Sequence, residues 1–576
     1  MAEVLISPGV LARENDQSQI TAGPVQAGAA IIGPTVKGAE NIPTLVTSYS
    51  EYLAAFGSTF LSGSNQYTFL TSISAYNYFQ NGGSTLLVTR VTPDAFAPAS
   101  SSMITASSTP NDVPVFELEM LSDGAIMNST GSGIGIGANG TLTSGSSDNF
   151  RWEITNPSTS SGAFSLLLRQ GNDTATAKQV VETYSNLSLD PLSPNYISKV
   201  IGDTSTLIQG TGAGVYLQPS GSFPNASRFF RVKNVNNKTP NYFDNSGTPK
   251  NEFTGSIPIA QNGAFEGGVG EVTGSDGNFY RSINNVNSQG LVGSDYTTAI
   301  NLLGNRDEFR YNIITAPGLI LANGLTGAGW TSIQSNCENR GDAIFVGDLV
   351  NYNSSITQVT SQAAAVDSSY VATYWPWLQV IDPDSRELVW VPASTLIPGV
   401  YAYNDRAGEP WFAPAGINRG GLGVVNQAER KLTNTNRDDL YTGKVNPIAT
   451  FPGQGIVVFG QKTLQTKASA LDRVNVRRLL ITLKNYISQI ADTLVFEQNT
   501  AATRNTFLSQ VNPYLESVQQ RQGLYAFKVV MDNSNNTPDV IDRNELIGAV
   551  YLQPTKTAEF IYLDFNILPT GATFPA

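Results

Sequence analysis

Two stretches with alternating strand and helix patterns, residues 22–93 and 297–455, are separated by residues of a different character. In the first, Ala27–Gly33 is a buried-strand run closed by Gly33-Pro34. Ile42–Val46 is a second short strand, Ser50–Gly57 a helix with serine at its N-cap and glycine past its end, and Thr85–Val91 a strong strand. Gln66–Asn81 carries Phe69, Ile73, Tyr76 and Phe79 at helical spacing. In the second stretch, Thr297–Leu303 and Trp330–Arg340 read as helices. Tyr311–Thr315, ended by Ala316-Pro317-Gly318, reads as a strand, as do Ala343–Asp348 and Tyr370–Ile381. Such alternation predicts a sheet with helices packed on it. The 576 residues exceed one hydrophobic core, so two to four domains are expected.

Residues 96–296 are rich in Ser, Thr and Gly, with short alternating segments at Val115–Met120, Phe150–Ile154 and Phe229–Lys233. They read as one or two β-rich modules inserted into the α/β unit and exposed at the surface. After residue 455 comes a compact unit, which Gly455–Gly460 is expected to open. Its basic helix spaces Val476, Leu479, Leu480, Leu483, Ile487, Ile490 and Leu494 three or four residues apart. A second helix carries Phe507, Val511, Leu515 and Val518 on one side, with a kink or break expected at Pro513 and a cap at Gly523. Strand patterns follow at Leu524–Asp532, Leu546–Pro554 and Glu559–Ile567. At the other end, Val4, Leu5 and Ile6 form a β-prone run released by Ser7, Pro8 and Gly9. So short a run needs a partner strand, in this subunit or in another. The same holds for the alternating Ile561, Leu563, Phe565 and Ile567.

Composition removes several chemistries. There is no histidine, which excludes Ser-His-Asp triads and histidine metal ligands. Cys337 is the single cysteine, so neither an intrachain disulfide nor a cysteine zinc site is possible, and it reads as a small apolar helix residue. A net charge of −12 argues against nucleic acid as the main partner. The N-terminus lacks the pattern of a signal peptide, and no apolar run is long enough to span a membrane. Gly135–Gly140 spells G-x-G-x-x-G, but the polar residues after it do not continue as the helix a phosphate site needs. Asp348, Asp382 and Asp384 follow strands, where acid/base or metal chemistry would sit; turn and capping roles fit their surroundings better.

The stretch Gln461–Gly523 carries eight Lys and Arg against four acidic residues. With the apolar stripe inward, Arg473, Arg477, Arg478 and Lys484 are expected on an outward basic face, which would meet an acidic partner or simply be solvated.

Several segments in order carry a family resemblance. They are Pro392–Asp405 (P-x-S-x-x-x-x-G-V-Y-A-x-x-D), Trp411–Arg419 (W-x-A-P-A-G-I-N-R), Val445–Ile448, Gly455–Leu464 (G-x-V-V-F-G-x-x-T-L), Val474–Leu479 and Phe496–Asn499 (F-E-x-N). Together with Ser7–Val10 and Gln553–Ile561, this pattern resembles the tail sheath proteins of contractile-tailed bacteriophages, and through them the sheaths of contractile injection systems. The resemblance implies an α/β (α+β) multidomain fold: a sheath core with β-rich inserted domains and extended N- and C-terminal arms. The expected division is an arm over 1–20, a discontinuous α/β domain over 21–95 and 297–455, an insertion over 96–296, an inner domain facing a tail tube over 456–560, and a C-terminal strand and arm over 561–576. It implies a non-enzymatic protein without cofactor, polymerising with itself as hexameric rings stacked helically around a tail tube. Its other partners would be baseplate and tail terminator or neck proteins, with no nucleic acid and no membrane insertion. It would be a virion component assembled in the host cytoplasm. Val4, Leu5, Ile6, Ile561, Leu563, Phe565 and Ile567 would be exchanged between subunits, Ser7-Pro8-Gly9 would be the hinge of the N-terminal arm, and Arg473, Arg477, Arg478 and Lys484 would face the tube or a neighbour. A sheath of an injection device or bacteriocin, a metal-dependent α/β enzyme and a surface-layer protein are the alternatives.

Overall fold

The computed structural model describes residues 25–62, 64–93, 96–108, 113–127, 137, 141–271, 278–281, 289–324 and 326–562. An eight-stranded sheet takes strands from both sides of the insertion. Its order is Thr44–Val46, Leu86–Arg90, Val25–Gly33, Phe309–Ile320, Ile344–Asp348, Val371–Trp375, Asn446–Phe451, Gly455–Val458. The six inner strands are parallel and the two edge strands antiparallel. Parallel strands buried on both faces read as continuous apolar runs, as Ile344–Asp348 and Val371–Trp375 do. Successive residues point to opposite faces. Ile31, Ile313, Val346, Ala372 and Ile448 pack on one side with the Leu70–Gln80 and Ile397–Ala407 helices. Ala30, Ile32, Ile314, Phe345 and Val371 pack on the other, with Trp330 and Ile333 of Gly327–Arg340 and Val359 of Ile356–Ala364. Cys337 is buried in that second layer.

Several boundaries differ from expectation, each for a local reason. The Gln66–Asn81 pattern is split: Asn65–Thr68 hairpins with Thr59–Ser62, and the helix begins only at Leu70. Ser48, not Ser50, caps Tyr49–Phe56, accepting the Glu51 amide at 3.2 Å. Phe309–Ile320 continues through Pro317-Gly318, where a register shift absorbs the missing amide donor. Tyr370–Ile381 is two strands. Pro376 ends the first, and Leu378–Ile381 joins a separate three-stranded sheet with Leu388–Val391 and Val425–Ala428. Gly455–Val458 does not open the C-terminal unit but closes the large sheet against Asn446–Phe451.

The insertion is built on one seven-stranded sheet with its own core, including Phe116, Leu118, Trp152, Phe164, Leu166 and Phe230. Beside it stands the Ser205–Gln209/Tyr216–Ser220 hairpin. Alternation along Phe116–Asp123 and Ala163–Gln170 turns every second residue inward. In the turn after Ala163–Gln170, Asp173 is fully buried. It receives two parallel hydrogen bonds from Arg169, at 2.7 and 2.9 Å, and one from Arg151 at 3.4 Å, while Arg169 also donates to Glu153 at 2.9 Å.

Breaking a buried ionic network from one side leaves charge behind. Asp173→Ala is therefore expected to destabilise the protein by about 3–5 kcal/mol, read as a lowered denaturant midpoint.

Candidate interaction surface

The C-terminal unit consists of the Val474–Asp492 and Ala501–Gln520 helices, the Leu524–Val530/Ala549–Pro554 hairpin and the short Pro538–Asp542 helix. Leu479, Leu483 and Ile490 of the first helix pack on Phe507, Val511, Leu515 and Val518 of the second. Val474 and Ile481 belong instead to the core of the large sheet. The helix is therefore covered on two sides, and this overturns the expected outward basic face. Arg477 and Arg478 are both 4% exposed. Arg477 donates through Nε to the Ser369 carbonyl at 3.2 Å and through Nη2 to the Ser369 hydroxyl, with its guanidinium 4.0 Å from the centre of the Tyr370 ring. Arg478 pairs with Asp405 at 2.6 Å and lies 4.7 Å from the centre of the Tyr401 ring, whose hydroxyl meets that of Tyr374 at 2.6 Å. Burial lowers the Arg477 pKa; for Arg478 burial acts the same way but is outweighed by Asp405, and the value rises. Arg473 pairs with Glu559 at 2.8 Å and Asp472 at 2.9 Å. Only Lys484 of the four is exposed, its Nζ 3.5 Å from the Tyr370 hydroxyl. Periodicity within one helix could not register a second packing partner contributed by the large sheet.

The second helix runs unbroken through Pro513, which lies on its exposed side, where water can meet a freed carbonyl. Gln522, at φ +63°, takes the left-handed position expected of Gly523. Gly523 serves close approach instead: a Cβ there would sit 2.6 Å from Val518 Cγ1.

The hairpin pairs Phe527 with Leu552 and Val529 with Val550. These four side chains pack against the helices, while Tyr525 and Tyr551 are 63% and 61% exposed. Among the described residues neither strand has a second neighbour, so both outer edges present unpaired backbone groups. Ile561 is 76% exposed and, with the described residues 559–562, lies in no strand, unlike the expected Glu559–Ile567 pattern. Leu563, Phe565, Ile567, Val4, Leu5, Ile6, Ser7, Pro8 and Gly9 lie outside the described residues.

The three aspartates take capping and turn positions. Asp348, 4% exposed, accepts from the Ser394 amide at 3.1 Å and meets its hydroxyl at 2.5 Å; burial pushes its carboxyl up to about 7 despite these bonds. Asp382 accepts from Thr68, from Ser385 at 2.6 Å and from the Asp384 amide at 3.1 Å. Asp384 accepts from Tyr49 at 2.8 Å. Among the described residues no three acidic or cysteine side chains group as metal ligands, and no helix is long and apolar enough to cross a membrane. Of Gly135–Gly140 only Gly137 is described, its amide bonded to the Thr141 carbonyl at 2.8 Å.

Residues 289–464 match the phage tail sheath protein central domain, and residues 466–568 the phage tail sheath C-terminal domain. The tail sheath protein of Vibrio phage KVP40 is 41% identical over 216 residues, spanning 38% of this chain and 31% of that protein. That of Enterobacteria phage T4 is 35% identical over 229 residues, spanning 40% and 35%. The matches thus span about a third of the length of these curated relatives. Among solved structures, the sheath tail protein Lin1278 of Listeria innocua aligns over 93% of this chain and 96% of its own at 11% identity, with a TM-score of 0.49. The helical sheath of the anti-feeding prophage in its contracted state aligns over 98% and 99% at 16% identity, with a TM-score of 0.46.

Two outcomes are expected of this geometry. Arg478→Glu should destabilise the isolated subunit by about 3 kcal/mol or more, whereas Lys484→Glu should stay within about 0.5 kcal/mol, both read from urea unfolding. Asp348 keeps its proton in the fold up to about pH 7, while an unfolded aspartate loses it near pH 4. Its contribution to stability therefore falls as pH rises between those values. Asp348→Asn, which can make the same two hydrogen bonds as the protonated acid, should flatten that part of the stability–pH profile.

Proposed function

Residues 289–464 and 466–568 match two phage tail sheath domains, and we propose on that ground that the chain is the sheath subunit of a contractile phage tail, a structural protein and not an enzyme. In this reading subunits polymerise as six-membered rings stacked helically around a tail tube, and a change of helical packing drives the tube through the host envelope. The large sheet, closed by Gly455–Val458, forms the body, the seven-stranded insertion stands outward, and the unit built on Val474–Asp492, Ala501–Gln520 and the Leu524–Val530/Ala549–Pro554 hairpin faces the tube. Baseplate and neck proteins bound the polymer, which assembles in the host cytoplasm.

The observation that carries the reading is the succession of two matched sheath domains, the second holding a hairpin that has no strand neighbour at either edge among the described residues. Heterologous contacts between identical subunits build rings or open helices, and strand addition at an open edge supplies main-chain hydrogen bonds for them. Val4–Ile6 and Ile561–Ile567 are the segments with strand patterns at the two chain ends, with Ser7-Pro8-Gly9 as the N-terminal hinge. Of the four basic residues, Lys484 is the one available to an acidic tube or neighbour, since the other three are engaged within the subunit.

Purified protein viewed by negative-stain electron microscopy should form tubular polymers, and deletion of residues 1–20 should abolish them while leaving a folded subunit. A protein that stays monomeric at every concentration would contradict the reading.

A further inference from the structure

After the hairpin the chain crosses from the C-terminal unit to the body of the subunit. Thr555 is tied first, its amide to the Gly523 carbonyl at 3.1 Å and its hydroxyl to the Gln522 carbonyl at 2.7 Å. Residues 555–562 belong to no strand or helix, so no backbone ladder holds them. Apolar burial holds little of the last part either, because Phe560, Ile561 and Tyr562 are 68%, 76% and 89% exposed.

Between these lies Glu559. Its side chain is one-fifth exposed and its carboxylate collects three donors from the body: Arg473 Nε at 2.8 Å, Gln461 Nε2 at 3.0 Å and the Tyr441 hydroxyl. The same Gln461 amide reaches Thr557 Oγ1 at 2.6 Å. A carboxylate only accepts, so the Gln461 side chain must turn its nitrogen toward it. The donors are themselves held. Arg473 also pairs with Asp472, Gln461 is 3% exposed, and Lys462 lies 4.0 Å from the centre of the Tyr441 ring and donates to the Tyr441 carbonyl at 2.8 Å. Charge-assisted bonds on a preorganised set of donors are the strong kind. The three donors come from the Asn434–Thr442 helix, the loop after Gly455–Val458 and the start of the Val474–Asp492 helix, so one side chain ties the segment to three elements at once. Beyond Glu559, Phe560 forms part of the wall of a cavity of about 520 Å³, together with Pro447, Phe459 and Gly460.

We propose that Glu559 is a latch: it fixes where and in which direction Phe560-Ile561-Tyr562 leave the body, presenting them to a second copy of the chain. Without it, the segment beyond Thr555 would sample many directions, and the entropy lost on ordering it would be charged against binding. The latch stands on the geometry of the subunit alone; its use in assembly rests on the sheath reading.

The test attaches a nitroxide to Ile561→Cys, with buried Cys337 as the unlabelled background checked in the parent protein. In the wild-type context the spectrum should show restricted motion, and Glu559→Ala or Arg473→Ala should convert it to fast motion with an unchanged thermal midpoint. Glu559→Gln, which keeps the shape and loses the charge, should fall between. Identical spectra in all three variants would overturn the latch. Sedimentation of polymers reads the assembly role separately. A mobile label with undiminished pelleting would overturn that role while leaving the latch, and a wild-type protein that never pellets would count against the sheath reading alone.

Discussion

The contact on which the molecule's arrangement depends is the burial of one helix start between two cores. The first turns of Val474–Asp492 send Val474 and Ile481 into the large sheet and Leu479 and Leu483 into the C-terminal unit. Charges in such a place are tolerated only when paired and hydrogen-bonded. Arg478 meets Asp405 beside the Tyr374–Tyr401 pair, and Arg477 is held by Ser369 and Tyr370. A guanidinium suits this position because its planar fork can serve a carboxylate or carbonyl while its face lies on an aromatic ring. The polar contacts set the orientation of the helix that the apolar contacts alone would leave less determined.

From that joint the rest follows outward. The large sheet gives a rigid base because six parallel strands are covered on both faces, and its strands come from residues on either side of the insertion. The insertion has its own core and its own buried ionic network, and buried polar contacts tie it to the base: Lys37 pairs with Asp148 at 3.7 Å, and Arg90 donates to the Asp123 carbonyl at 2.7 Å. The C-terminal helices hold one face of a two-stranded hairpin, too small to be stable alone, and leave its edges and two tyrosines outward. Among the described residues the base is covered on both faces and the hairpin has no strand neighbour at its edges.

Much of this was legible before the structure. Val115–Met120, Phe150–Ile154 and Phe229–Lys233 mark strands of the insertion, and Phe507, Val511, Leu515 and Val518 are the buried face of their helix. Local pattern failed where a distant element decided the outcome. Gly455–Val458 has the composition of a strand, but only the long-range register with Asn446–Phe451 assigns it to the large sheet. Arg477 and Arg478 look like a solvated face until Ser369, Tyr370 and Asp405 arrive from elsewhere in the chain. Glu559 lies 118 residues from Tyr441 and 86 from Arg473, and nothing in its neighbours' spacing marks it as an anchor.

In the proposed assembly the subunit keeps its inner joint and offers its hairpin edges. Hydrogen exchange followed by mass spectrometry, on dispersed and polymerised protein, reads this most directly. Amides of Leu524–Val530 and Ala549–Pro554 are expected to gain protection on polymerisation, while those of residues 474–483 stay protected equally in both states. Unchanged exchange in the hairpin, with protection gained in the helix start instead, would contradict it.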